Sequence, residues 1–183
     1  QEGQENVVIG YNALGADTTG SRNVAVGQGA LSVQDMTGSS VVLSYNTALG
    51  FQSGSLLTTG KINTFVGGLS AGGGVVTGTH NVGVGAESLY NLTSGASNVA
   101  VGYQAGAGLL AGNYNVAIGR EALETEDDHN GNVAIGYRAM RFLNAAQNAD
   151  NTAIGYEAMQ SMTLGVYNVA IGRNALTTDD LGS

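Results

Sequence analysis

The feature that most constrains this chain is a motif, Asn-x-x-x-Gly, that returns ten times, with Asn at positions 6, 23, 46, 63, 81, 98, 115, 132, 151 and 168. The successive steps are 17, 23, 17, 18, 17, 17, 17, 19 and 17 residues. Self-similarity at a short fixed period marks a repeat architecture, in which each unit buries its apolar side only against its neighbours. A step of 17 is too short for helix-pair repeats or propeller blades and fits one coil of a parallel β-solenoid. The 23-residue step reads as one coil with a six-residue insertion, because NTALGFQSG from Asn46 aligns with NVAVGYQAG from Asn98. Coils stacked about 4.8 Å apart would make ten of them a rod on the order of 50 Å long.

The columns of the repeat carry the rest of the fold. With Asn as position 0, position +4 is Gly in all ten copies, position +3 is always aliphatic and position +1 is always Val or Thr. Position +2 is Ala in seven copies, with Val8, Phe65 and Gly83 as exceptions, and position +7 is Ala or Ser throughout. A second Gly precedes the Asn by three residues in seven copies. Residues +1 and +3 share one face of a short strand and +2 the other, and the Gly at +4 marks a corner that needs positive φ or a close backbone approach. The expected core is the aliphatic face, for example Val116 and Ile118 with Leu123. On that expectation positions +6 to +8 form a second short strand, and a flat Ala/Ser-rich outer face is free to pack side by side in a homotrimer of parallel rolls.

Composition supports regularity over flexibility. The chain has 30 Gly among 183 residues, no Pro and no Cys, and 17 of those Gly fall in the two columns just described. The absence of Pro fits stacked strands that need their N–H groups. Without Cys there is no disulfide framework and no thiolate metal or redox site. Six Lys and Arg against 14 Asp and Glu, for a net charge of −8, exclude a basic nucleic-acid footprint and suit an extracellular surface. No apolar run approaches the roughly 20 residues that span a bilayer, so membrane insertion by this segment is not expected. The opening QEGQEN has neither Met nor an apolar leader, which suggests a fragment or processed product. Residues 1–183 read as a single β-roll repeat domain, a segment of a longer protein.

The copies NVAIGREAL, NVAIGYRAM, NTAIGYEAM and NVAIGRNAL resemble the head repeats of YadA-type trimeric autotransporter adhesins. The longer period, with loops such as ADTTG, SLLTTG and YNLTSG, is similar to relatives in phage tail-fibre proteins, those of marine phages and cyanophages among them. The resemblance spans all ten copies and departs from the adhesin heads in its longer period and in lacking the neck and coiled-coil stalk. It implies an all-β, left-handed parallel β-roll of about ten 17-residue coils, intertwined or side by side as a homotrimer. In its repeat columns Asn98, Gly102, Asn115, Gly119, Asn132, Gly136, Asn151, Gly155, Asn168 and Gly172 are structural. It also implies a non-enzymatic rod without a cofactor, extracellular on a virion or on a bacterial outer membrane. Its partners would be its own copies and a host surface glycan or protein receptor. As a phage fibre it spaces or presents a tip; the alternative is the head of a bacterial adhesin that binds host matrix or cells.

Candidate chemistry is sparse. Glu124, Glu126, Asp127 and Asp128 offer hard oxygen ligands suited to Ca²⁺, but they lack the spacing of a known calcium loop and read foremost as a solvated loop tip. The same carboxylates could form a glycosidase pair, for which a narrow coil provides no cleft. His80 and His129 lie in different columns without metal-ligand spacing. Position +5 carries Tyr103, Arg120, Tyr137, Tyr156 and Arg173, expected to stack as Arg120–Tyr137 and Tyr156–Arg173 cation–π pairs; a glycan-binding aromatic strip is the competing reading. Position +6 gives the alternating charges Glu121, Arg138 and Glu157, expected to be exposed and to contribute little. The loops at 32–45, 124–131 and 141–150 break the rhythm without touching the core columns, as binding loops do.

Overall fold

The computed structural model describes residues 3–36, 42–125, 128–143, 149–162 and 165–177. Ten three-residue strands form one sheet in which each coil adds a parallel neighbour: β1 (Val7–Ile9), β3 (Val24–Val26), β5 (Thr47–Leu49), β6 (Thr64–Val66), β7 (Val82–Val84), β8 (Val99–Val101), β9 (Val116–Ile118), β10 (Val133–Ile135), β11 (Thr152–Ile154) and β12 (Val169–Ile171). Two shorter strands, β2 (Gly20–Ser21) and β4 (Val42–Leu43), pair with each other where the 23-residue step begins and ends. The register is identical at every step: Val99 faces Val116, which faces Val133, and Val101 faces Ile118, which faces Ile135. The chain is therefore an all-β parallel solenoid with the predicted period, and no helix occurs among its described residues.

The Gly at +4 is fixed by two requirements at once. At Gly102 φ is +134°, and a Cβ there would lie 2.7 Å from the Gly119 carbonyl oxygen of the next coil. Coils approach this closely because the backbones bond directly across them, with Val116 N–H donating to Asn132 O at 2.8 Å and Gly119 N–H donating to Val101 O at 2.8 Å. Beside this ladder runs one of side-chain amides. Buried Asn98 accepts the Asn115 N–H on its Oδ1 at 2.9 Å and donates from Nδ2 to the Gly112 carbonyl at 2.7 Å and to Asn81 Oδ1 at 3.1 Å. The same amide-to-backbone bond recurs from Asn115 at Asn132 N, from Asn132 at Asn151 N and from Asn151 at Asn168 N. An Asn side chain supplies one acceptor and two donors in a plane, which is why neither Asp nor Ser substitutes for it in the column. The Gly three residues before the Asn is the residue whose carbonyl receives Nδ2, as Gly112 does from Asn98 and Gly165 does from Asn151. The Nδ2 atoms of Asn23 and Asn132 are buried without a partner, and they belong to the coils that begin the 23- and 19-residue steps.

Two expectations are overturned. Positions +6 to +8 are a turn, not a second strand. Both +6 and +8 take left-handed φ in every coil, as at Glu121 (56°) and Leu123 (52°), and so does the residue before each Asn, as at Tyr114 (59°). Left-handed residues placed on either side of the small +7 residue reverse the chain too sharply for a strand.

The second correction concerns which face is core. The +2 residues Ala25, Ala48, Phe65, Ala100, Ala117, Ala134 and Ala153 are fully buried, whereas Ile118, Val101 and Ile154 at +3 are each 37% exposed. The interior is built from +2, +7, +8 and a further column at +11 that includes Leu57, Leu92, Leu109, Leu143 and Met162. A 17-residue coil encloses a space so narrow that the strand side of it admits only Ala, while the larger Leu and Met come from the opposite turn. Val116 and Ile118 therefore point outward, as does the Thr at +1. The Ala/Ser positions lie inside. Phe65 marks the limit of the rule. It occupies space left by two glycines: a Cβ added at Gly54 would lie 3.0 Å from its ring, and one at Gly83 would lie 3.3 Å from it.

Candidate interaction surface

The outward residues of the sheet form a continuous aliphatic face ten strands high. Exposed or partly exposed aliphatics, Val or Ile on nine coils and Leu49 on the other, repeat at +1 and +3, with Thr at +1 on three of the ten. Its two long margins have different chemistry. On the N-terminal side stands the left-handed residue before each Asn, a column that includes Arg22, Tyr45, Tyr114, Asp150 and Tyr167; on the C-terminal side stands the +5 residue, just past the Gly corner. Tyr114 and Tyr167 are each 71% exposed.

The +5 column forms the ladder expected of it, with one change of partner. Arg173 lies over the Tyr156 ring at 5.1 Å, Tyr156 stacks on Tyr137 with centroids 5.0 Å apart, and Arg120 lies over Tyr103 at 5.6 Å, not over Tyr137. The Tyr137 ring is covered instead by Arg138 at 4.8 Å. A corresponding arrangement stands on the other margin, where Arg22 bonds Glu5 at 2.6 Å and the Tyr45 hydroxyl at 2.7 Å.

The +6 charges are not a surface ladder of negligible weight. The Glu121 side chain is only 5% exposed and receives Arg138 Nε at 2.7 Å and Arg120 Nε at 2.8 Å, with Arg141 Nη2 at 3.5 Å. The hydrogen bond from Arg138 holds its carboxyl below the usual carboxylate range; burial pushes the other way, and Arg120 and Arg141 add to the lowering. Arg141 also bonds Glu124. Three guanidinium groups on two coils thus converge on one carboxylate, a clamp between coils that follows from an insertion-free step of 17.

Two of the four candidate cation ligands lie within the described residues, and they are not placed together. Glu124 is engaged by Arg141, Asp128 is exposed, and Glu126 and Asp127 lie outside the described residues. Among the described residues no group of three or more His, Asp or Glu side chains is placed to hold a metal ion. His80 is exposed beside the Thr79 hydroxyl at 3.0 Å, and the His129 carbonyl accepts Asn115 Nδ2 in place of the usual Gly. Of the three irregular loops, residues 37–41, 126–127 and 144–148 lie outside the described residues. Beside the first of them, Met36, Val42, Thr59 and Lys61 line a small open cleft of about 140 Å³. No helix among the described residues is long and apolar enough to cross a membrane. Comparison with family models, with curated proteins and with solved structures returns no match for this chain.

Proposed function

We propose that this chain is a segment of a non-enzymatic, trimeric fibre, a rigid rod displayed outside the cell for attachment to a host cell surface, in the manner of the phage tail fibres its repeats resemble. The single observation that carries this reading is the uncovered aliphatic face. Six residues separate the two margins and nine steps separate the end strands, so the face measures about 20 by 43 Å, or about 860 Å². With its margins included, that area matches the roughly 800 Å² that each partner contributes to a stable interface.

The dimensions favour three copies. Three such faces turned inward make a triangular prism with an inner radius of about 6 Å, close to half the roughly 10 Å that separates packed sheets. Four would leave an open channel of about 10 Å radius, which Val and Ile side chains cannot fill. The three-fold rod would present three copies of every loop in parallel, and multivalency would raise weak contacts with a surface glycan or protein into firm attachment. Those contacts fall to the irregular loops at 32–45, 124–131 and 141–150, where length varies without disturbing the coil.

Sedimentation equilibrium at micromolar concentration tests this. The expected mass is three times the 18.4 kDa of one chain. A stable, folded monomer overturns the proposal.

A further inference from the structure

Resting on the trimeric reading, we infer that the two margins of the face are the two halves of one interface with a second copy of this chain: the residue before each Asn seats against the +5 residue at the same coil of the neighbouring copy. In any ring of inward-facing sheets, the N-terminal margin of one face meets the C-terminal margin of the next. Rotation about an axis along the rod carries no translation, so closed symmetry places coil opposite the same coil.

The side chains on the two margins are matched under that constraint. Tyr114 meets Arg120, and three coils further on Tyr167 meets Arg173. Each Arg, already over a Tyr ring of its own +5 column, would present its other face in a cation–π pair and cover a Tyr ring left 71% exposed in the single chain. Asp150 meets Tyr156, a carboxylate opposite a hydroxyl donor. Where one margin is small the other is large: Ser97 meets Tyr103 and Gly131 meets Tyr137, while Ile62 meets Gly68 and His80 meets Ala86. No coil places like charges or two small residues opposite each other. The strip of Tyr and Arg at +5 is thereby assigned to assembly, and its regularity follows from the need for a partner at each level.

The chain has no Cys, so engineered disulfides report this directly. Within one chain the two margins are up to about 20 Å apart, beyond the roughly 4.4–6.8 Å between Cα atoms that a disulfide spans; any bond must therefore join two copies. The test oxidises a Tyr114→Cys/Arg120→Cys variant and, as a second same-coil pair, Ser97→Cys/Tyr103→Cys. The one-coil-shifted control is Tyr114→Cys/Tyr137→Cys. Each is examined by denaturing electrophoresis and, under reducing conditions, by sedimentation. The expected result is three-chain mass in sedimentation for all variants, with covalent three-chain species from both same-coil pairs and little from the shifted control. Three-chain mass without same-coil cross-links, or with cross-links confined to the shifted pair, overturns the inference while leaving the trimer standing. One-chain mass overturns the trimer, and the inference with it.

Discussion

Replacing Gly102 by Ala separates the two demands made on the corner glycine. The residue has φ of +134°, and its new Cβ would sit 2.7 Å from the Gly119 carbonyl oxygen. The dihedral strain of an L-residue in that region costs about 1–3 kcal/mol. Relieving the contact means widening the coil spacing, which is pinned by the bonds from Val99 N–H to Asn115 O at 2.9 Å and from Gly119 N–H to Val101 O at 2.8 Å. Weakening two such bonds adds about 1–2 kcal/mol, for a total of about 3–5 kcal/mol. Two further variants isolate the parts. Gly172 has the same kind of φ, +125°, with nothing within 4 Å, so Gly172→Ala should cost only the strain; Gly95 has no positive φ but would place its Cβ 2.5 Å from the Gly112 oxygen, so Gly95→Ala should report the contact. Gly68→Ala, whose nearest neighbour would be the Phe51 oxygen at 3.9 Å, should change stability by less than about 0.5 kcal/mol. Guanidinium unfolding at one fixed protein concentration, with the m-value checked for constancy, gives the four differences. If Gly102→Ala is no worse than Gly172→Ala, close coil stacking is not what selects glycine here.

Three other perturbations follow from the interior. Asn98→Asp removes the donor to the Gly112 carbonyl, whereas Asn132→Asp removes an Nδ2 that has no partner; the first should be the more destabilising by about 1–3 kcal/mol, measured by the same unfolding. Phe65→Ala should cost about 3–5 kcal/mol through the cavity it leaves, and Gly83→Ala alone should also destabilise. The two together should cost less than their sum, because the added methyl then fills space vacated by the ring; strict additivity would refute this packing. Glu121 has its carboxyl pKa lowered by its Arg partners, so its contribution is present above the ordinary carboxylate pKa and is lost as pH falls through the lower folded-state value. Glu121→Gln should therefore reduce stability at neutral pH and flatten the decline between neutral and acid pH; an unchanged acid slope would mean that the carboxylate does not clamp these coils.

The repeat, its corner glycines and the parallel stacking were legible from sequence because each leaves a fixed column: Asn98, Gly102 and the residues seventeen on from them. The direction of the sheet was not. Val116 and Ile118 look like core by hydrophobicity alone, and nothing local says that they lie outside. The available signal was steric, since Ala at +2 in seven of ten copies is what a narrow interior demands, whereas an outer face would have tolerated variety. The turn at +6 to +8 was hidden for another reason. Its left-handed positions are held by residues as unlike as Glu121, Leu69 and Met140, so the conformation is imposed by neighbouring coils and not by glycine or asparagine. The Glu121 clamp was half visible, as alternating charge at +6. Its other partners, Arg120 and Arg141, lie outside that column.

The central claim is that adjacent residues on one strand serve different masters, Ala117 the interior of its own chain and Ile118 the union of several. Sedimentation equilibrium with parallel far-UV circular dichroism on Ala117→Glu and Ile118→Glu tests it most directly. Ala117→Glu buries a carboxylate where 0% of the native side chain is exposed and should abolish the β signal. Ile118→Glu sets like charges against one another across the assembly; it should lower the mass from three chains to one while the β signal persists. Loss of β structure in both variants alike, or a three-chain mass retained by Ile118→Glu, would contradict the account.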